Sequence, residues 1–391
     1  MNRIFLYILL LTSCLVFSQP GVTFSNNTTI SVLTCGVGDE LYSQFGHSAI
    51  RIKDHQTGLD LVYNYGVFDF DDPNFYTNFA KGKLIYKMGY TDIANFYAQY
   101  QWENREVKEQ VLNLTPMQER KLINFLQNNI KPENTKYQYD FLFNNCATKI
   151  TEVLNEVLEH KVVYNRNHIT THYTFRDLIN NHVPYNTWAN VGINIALGSV
   201  IDVKATKEQH DFLPSYVFHS LQAAKLNKKP LVKVPKTLIK KEESRIPTSN
   251  FYTSPIFIFS ILGLFTIIIT FRDFRNKTRS KIFDFFILFI TGTIGFFIVL
   301  LWFATDHTAT ANNFNLLWAF TPNIIITFSI FKNRKWHDKY FLLAFILMVV
   351  MGLVWILKIE KFAISLIPFL IALAIRYLYL NRYFKLQQEL F

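Results

Sequence analysis

Apolar residues are unevenly distributed along the chain and divide it into three regions. Residues 1–19 hold a basic residue and then an apolar run over 5–17, which is typical of a secretory signal peptide. Residues 25–215 alternate short apolar segments with turn residues, which predicts an exported α+β domain. Residues 251–380 contain long apolar segments, which predict an all-helical membrane domain.

Periodicity within the exported region predicts both strands and helices. Short β-branched and aromatic segments predict strands at Thr29–Thr34, Ser48–Ile52, Leu61–Tyr65 and Leu84–Tyr90. Helical spacing predicts helices over Ile93–Leu112, after Thr115 with Pro116 at its first position, from Cys146 onward, and after Thr174. The turn at 54–58 places the second and third strands side by side, so His47 and Asn64 are expected on adjacent antiparallel strands.

Five membrane spans are predicted in the last third of the chain, at Phe251–Phe271, Ile282–Phe303, Phe314–Phe331, Tyr340–Leu357 and Phe362–Leu380. Lysine and arginine cluster after the first and third of these segments, whereas the loop at 304–313 has neither. Because basic loops face the cytoplasm, this pattern places the tail at 381–391 inside and the exported domain outside.

Charge adds little to the choice of function. The formal net charge is +11, but the basic residues concentrate near the apolar segments and no nucleic-acid motif is present. Residues 222–246 are rich in lysine and proline, which predicts a linker that buries no core. It either rests on anionic lipid headgroups or acts as a solvated tether, and the sequence favours neither.

Cys146 is the strongest candidate for chemistry. It opens a predicted helix after Asn144 and Asn145, which are good N-cap residues, and a helix N-terminus favours thiolate over thiol. His47 is the candidate base, since distant Cys and His residues often meet in a fold. The competing interpretations are a small buried cysteine, or a disulfide with Cys35 that would abolish catalysis.

Other polar residues give weaker signals. The segment 11–14 loosely resembles a lipoprotein box, which would lipidate Cys14. His168 and His172 lie four residues apart but lack further ligands, so we expect no metal site, and we expect no cofactor. The external stretch at 305–315 is either ordinary interface polarity or a group that faces the catalytic domain or binds a lipid headgroup as substrate. Its candidate residues are His307, Asn313 and Asn315.

The order of three motifs resembles a known family. Gly46-His47-Ser48-Ala49-Ile50-Arg51, then Tyr63-Asn64-Tyr65-Gly66-Val67-Phe68-Asp69-Phe70, then Asn144-Asn145-Cys146-Ala147-Thr148 look like the Lnb-type lipoprotein N-acyltransferases. The order of histidine before cysteine also resembles the permuted papain-like group that contains lecithin:retinol acyltransferase. NlpC/P60 peptidases share that architecture but place cysteine first.

This resemblance implies a papain-like, permuted NlpC/P60 or lecithin:retinol acyltransferase-like fold in the exported domain. It implies Cys146 as nucleophile and His47 as base. The third, orienting residue is not clearly marked: Asn64 is our candidate because its amide accepts the imidazole N–H, and Tyr65 and Asp69 compete with it.

The implied activity is transfer of an acyl chain from a membrane phospholipid to the α-amine of a diacylated lipoprotein. The expected location is the bacterial inner membrane, with the catalytic domain in the periplasm. Two alternatives remain open. The same residues in a hydrolase would cleave peptidoglycan peptides, phospholipids or thioesters with water as acceptor, and a non-enzymatic membrane-anchored scaffold would use them structurally.

Overall fold

A computed structural model describes residues 22–68, 73–242 and 250–389 of the chain. The predicted signal peptide, the lipoprotein-box cysteine Cys14 and the competing orienting residue Asp69 lie outside these residues.

An antiparallel seven-stranded sheet organises the exported domain. Its strands are β1 (Thr28–Cys35), β2 (His47–Asp54), β3 (Asp60–Val67), β4 (Ile85–Asp92), β5 (Val107–Val111), β6 (Lys136–Gln138) and β10 (Lys236–Ile239). They are ordered β10-β5-β1-β2-β3-β4-β6, and all pairs are antiparallel. A second, three-stranded sheet holds β7 (Val162–Val163), β8 (Lys225–Leu226) and β9 (Lys229–Pro230). All four predicted strands are confirmed to within two residues.

Seven helices surround the sheets in the described part of this domain: α1 (Phe75–Ala80), α2 (Ile93–Trp102), α3 (Pro116–Asn129), α4 (Cys146–Val157), α5 (Phe175–Asn180), α6 (Trp188–Ala196) and α7 (Pro214–Gln222). Apolar residues of β2 share one buried cluster with α4, as Ile50 and Ile150 illustrate. Residues whose side chains lie on the other face of the sheet, such as Ala49, share another buried cluster with Phe96 of α2. The sheet is therefore covered on both faces, and α4 lies against the strand that carries His47.

Two sequence predictions for this domain were wrong in part. The helix expected over Ile93–Leu112 ends at Trp102, because Asn104 adopts a left-handed backbone conformation with φ 49° and the chain returns as β5. The expected linker contains β8, β9 and β10 in its described part. Leu231 is fully buried, since apolar residues spaced among the lysines reach the core while the charges stay outside.

The membrane domain consists of α8 (Pro255–Asn276), α9 (Lys281–Phe303), α10 (Asn323–Ser329), α11 (His337–Ile356) and α12 (Ile367–Glu389). Among the described residues, four helical segments are long and apolar enough to cross a membrane: Pro255–Asn276, Lys281–Phe303, His337–Ile356 and Ile364–Gln388. The prediction of five spanning helices is wrong at Phe314–Phe331, which forms only a 3-10 turn at Phe314–Leu317 and the short α10.

Residues 314–331 nevertheless run along the length of α9. Ala319 lies against Gly295, Ile324 lies against Gly292, and the carbonyl of Ile330 accepts a hydrogen bond from Arg279 at 2.7 Å. Pro322 interrupts the segment, since it lacks an N–H and disfavours helical backbone before it. The loops at 304–313 and 332–336 therefore lie at opposite ends of α9, although a short broken segment joins them.

A buried ion-pair cluster joins α8, α9 and α12. Arg376 contacts Asp284 at 2.6 Å and Asp273 at 2.9 Å, and Arg279 contacts Asp284 at 3.4 Å. The four side chains are almost completely buried and their formal charges cancel. Buried charges are tolerated only when paired, so this cluster fixes how the three helices meet.

Candidate functional site

Asn145 fixes the start of α4 and thereby the position of Cys146. Its side-chain oxygen accepts hydrogen bonds from the N–H groups of Ala147 at 2.8 Å and Thr148 at 2.9 Å. The Thr148 hydroxyl accepts in return from the Asn145 N–H at 2.8 Å, which completes a capping box. This cap occupies the N–H groups of Ala147 and Thr148. The N–H group of Cys146 is not part of the cap and lies beside the Cys146 thiol. The predicted helix start is confirmed.

The sheet brings His47 and Asn64 together. Ala49 of β2 pairs with Asn64 of β3, and the His47 ring nitrogen Nε2 lies 3.0 Å from the Asn64 side-chain oxygen. The Asn64 amide nitrogen donates to the Val62 carbonyl at 3.2 Å, which sets the orientation of the amide. Since an amide oxygen only accepts, Nε2 carries the proton and Nδ1 is left for Cys146.

Cys146 and His47 form a hydrogen-bonded pair that alters both pKa values. Burial raises the pKa of the Cys146 thiol, but the charge and hydrogen bond of His47 and the N–H groups of Ser48 and Cys146 lower it, and the net shift is downward. Burial lowers the pKa of His47, whereas Cys146 and Asn64 raise it, and the net shift is upward. The two shifts favour a thiolate–imidazolium ion pair.

Cys35 has the opposite environment. It is 1% exposed, and burial raises the pKa of its thiol to about 12, so it stays protonated. Both Cys35 and Cys146 are free, so the disulfide considered from the sequence is not formed. Of the two described cysteines, only Cys146 has the features of a reactive thiol.

Three residues that the sequence did not single out for the site lie beside the thiol. Gly66 has φ 84°, and a Cβ placed on it would lie 3.6 Å from the ring of Tyr139 and 3.9 Å from both the Tyr137 hydroxyl and the Cys146 Cβ. The Tyr137 hydroxyl is buried, and it donates no hydrogen bond among the described residues. Burial and the nearby thiol raise its pKa by more than the Gly66 N–H lowers it, so it remains a proton donor.

The loops around this site contact the membrane domain. The Thr308 hydroxyl donates to Asp140 at 2.8 Å, six residues before Cys146, and the Asp306 N–H donates to the Lys81 carbonyl at 2.8 Å. Gly82, with φ 74°, lies so close to His307 that a Cβ on Gly82 would lie 2.6 Å from the backbone nitrogen of His307. The candidate site is thus held against the external end of α9.

The predicted substrate-binding residues have different environments. Asn313 donates to the carbonyls of Ile195 and Ala196 at 2.8 and 3.2 Å. Asn315 donates to the Asn194 carbonyl and to Glu360, both at 3.0 Å, and accepts from the Trp318 indole at 2.9 Å. Both asparagines are buried with their polar atoms engaged, so they join α6 to the membrane domain rather than face Cys146. His307 instead packs edge-on against Phe79, with ring centroids 6.3 Å apart.

His168 and His172 do not share a helical face, because residues 164–174 contain no helix. His168 faces His219, with ring centroids 5.7 Å apart. Within residues 22–68, 73–242 and 250–389, no three His, Cys, Asp or Glu side chains are grouped so as to hold a metal ion.

Comparisons with known proteins agree with the arrangement of the two domains. Residues 23–189 match the Lnb N-terminal periplasmic domain, and residues 246–388 match the Lnb transmembrane domain. No curated protein and no solved structure matches the chain, so the papain-like fold stays a prediction. The two matches together cover most of the chain and fall on the regions that carry Cys146 and the apolar helices. The chain therefore belongs to the family of Lnb-type lipoprotein N-acyltransferases.

Proposed function

We propose that this protein transfers an acyl chain from a membrane glycerophospholipid to the α-amine of a lipoprotein's N-terminal diacylglyceryl-cysteine, at the outer face of the bacterial inner membrane. Cys146 is the nucleophile, His47 is the acid and base, and Asn64 orients His47. The observation that carries this proposal is the position of a Cys146–His47 pair next to the membrane domain, with the Asp140 turn bonded to Thr308. Both substrates are anchored in the bilayer, so a site held at its surface meets them without extracting them into water.

In the first half-reaction, the Cys146 thiolate attacks the ester carbonyl carbon of the phospholipid. The carbon–oxygen bond to glycerol breaks, and protonated His47 gives its proton to the departing alkoxide. A lysophospholipid leaves, and the acyl chain remains on Cys146 as a thioester. Neutral His47 stays held through Nε2 by Asn64.

In the second half-reaction, the lipoprotein amine attacks the thioester carbonyl. His47 accepts the proton from the attacking nitrogen, the carbon–sulfur bond breaks, and an amide forms. The products are the triacylated lipoprotein and the original thiolate–imidazolium pair, so the cycle closes without another reactant.

Both steps pass through an oxyanion, which needs hydrogen-bond donors. The Cys146 N–H is one candidate, because the Asn145 cap occupies the N–H groups of the next two residues. The buried Tyr137 hydroxyl is a second candidate, since its O–H is donated to no described residue and it lies close to Gly66 and Cys146.

The test is mass spectrometry of a lipoprotein N-terminal peptide from cells depleted of their own N-acyltransferase. The cells express either this protein or its Cys146→Ala variant, with equal membrane levels confirmed by immunoblot. We expect the third acyl chain only with the intact protein. A peptide that stays diacylated with both forms would contradict the transferase, and loss of phospholipid or cell-wall peptide with the intact form alone would identify a hydrolase.

A further inference from the structure

A continuous run of aromatic side chains connects the Cys146 site with the membrane domain. It begins at Tyr139, whose ring borders the same space beside Gly66 as Cys146. Successive ring centroids are then separated by 4.5 Å from Tyr139 to Tyr86, 5.3 Å to Phe68, 5.8 Å to Phe75, 6.2 Å to Phe79 and 6.3 Å to His307. We call these six residues the aromatic run.

The outer half of the aromatic run lies on α1, a helix with no buried residue. Phe79 is 50% exposed, and its neighbour Tyr76 is 72% exposed. Soluble domains seldom expose several large aromatic side chains together, whereas aromatic residues are enriched where a protein meets the membrane interface. The Lys81–Asp306 and Gly82–His307 contacts hold the end of α1 at the loop that follows α9. This places the exposed rings at the external level of the membrane helices.

We infer that the aromatic run is the binding track for the acyl chain of the phospholipid donor, which it guides from the bilayer surface to Cys146. The inference rests on the proposed function and assigns it a specificity-determining surface. Each step between rings is no longer than 6.3 Å, so an extended hydrocarbon chain contacts neighbouring rings in turn. Apolar contact is the interaction that distinguishes an acyl chain from the headgroup, and one end of the track, at Tyr139, lies beside Gly66 and Cys146.

The first half-reaction alone tests this inference, because it involves the donor and not the lipoprotein. Full-length protein is reconstituted in vesicles of palmitoyl-oleoyl phosphatidylethanolamine with a minor fraction of phosphatidylglycerol. Acyl-Cys146 is measured by intact-protein mass spectrometry after acid quenching. Separate, unquenched samples of the same protein are treated with p-nitrophenyl acetate, a short soluble ester that has no long chain to bind.

Phe79→Asp is the main variant, since its side chain is half exposed and does not touch Cys146 or His47. We expect acylation from phospholipid to fall about tenfold while acetylation by the short ester is unchanged, because a carboxylate on the track repels hydrocarbon. Phe79→Leu, which keeps an apolar surface but removes the ring contact with His307, should stay near wild type. Tyr90→Asp is the matched control: Tyr90 is 49% exposed, lies on β4 and packs on Tyr63 outside the track.

The outcomes separate the inference from the proposed function. If wild-type protein forms acyl-Cys146 from phospholipid and Phe79→Asp does so at the same rate, the track is refuted and the function stands. Equal losses in Phe79→Asp and Tyr90→Asp, or a loss in Phe79→Leu as large as in Phe79→Asp, would also refute it. If wild-type Cys146 reacts with the short ester but never with phospholipid, the proposed function fails and the inference fails with it.

Discussion

Replacing Asn64 tests whether it orients His47 and stabilises its charged form. The His47 ring donates through Nε2 to the Asn64 oxygen at 3.0 Å. Burial lowers the pKa of His47, while Cys146 and Asn64 raise it enough that the net shift is upward. Asn64→Ala removes the raising interaction that Asn64 supplies, so the pKa of His47 falls and the imidazolium of the ion pair loses its proton at a lower pH.

The size of the effect follows from the hydrogen bond. A hydrogen bond to a charged group contributes about 1.5 to 3 kcal/mol, which corresponds to about one to two pKa units for His47. His47 must be protonated to release the lysophospholipid, so the acylation rate falls at high pH, where His47 loses its proton. In Asn64→Ala this alkaline limb of the pH profile should lie at a pH lower by about that amount. Asn64→Asp places an anion beside the imidazolium and should move the same limb up.

The assay is the initial rate of acyl-Cys146 formation from phospholipid vesicles across pH, measured by intact-protein mass spectrometry. Asn113→Ala is the control, because Asn113 also donates from its side chain to a carbonyl, that of Pro230 at 3.0 Å, but lies outside the site. An alkaline limb that stays in place in both Asn64 variants would refute the orienting role and return Tyr65 and Asp69 to consideration.

Three further substitutions test other parts of the structure. Tyr137→Phe should lower acyl-Cys146 formation about a hundredfold without changing the alkylation rate of the thiol by iodoacetamide, and an unchanged acylation rate would exclude its hydroxyl as an oxyanion donor. Gly82→Ala should destabilise the turn by about 1 to 2 kcal/mol and push it away from His307. Acylation from vesicles should then fall more than acetylation by p-nitrophenyl acetate. Equal changes in the two rates would argue against a role of this turn in holding the exported domain on the membrane domain. Arg376→Met should destabilise the membrane domain by about 3 to 5 kcal/mol, because it leaves two buried aspartates with a single arginine, and an unchanged thermal midpoint in detergent would contradict the ion-pair cluster.

The sequence was informative where local chemistry decides the structure. The N-cap at Asn145, the helix start after Thr115 and the strand that carries His47 depend on residues close in sequence, and all three are observed. The meeting of His47 with Asn64 was predicted from a short turn, which fixes the pairing of two neighbouring strands.

Features that depend on distant contacts were not predicted. β10 joins the sheet beside β5 although its segment is lysine-rich, because a few apolar residues find a core made by a remote part of the chain. The apolar segment at 314–331 has the length of a membrane span, but Pro322 and the close contact with Gly295 prevent a continuous helix. Tyr137 carries no local signal, since only tertiary packing places its hydroxyl beside Cys146.

The junction between the two domains is formed by apolar packing and by buried hydrogen bonds. Val191 of α6 belongs to the same apolar cluster as Trp318 and Phe362 of the membrane domain, and Asn313 and Asn315 bond to the backbone at the end of α6. The Glu360 side chain, whose pKa burial raises to about 7, accepts there from the Phe314 N–H and from Asn315.

Separating the domains would expose this apolar surface and leave buried polar groups unpaired, so we expect the two halves to unfold together. The functional consequence is linkage: whatever binds at Cys146 also stabilises the helices in the bilayer, and whatever changes the packing of those helices changes the affinity at Cys146. A substrate analogue that acylates the thiol should therefore raise the unfolding temperature of the whole chain in a single transition.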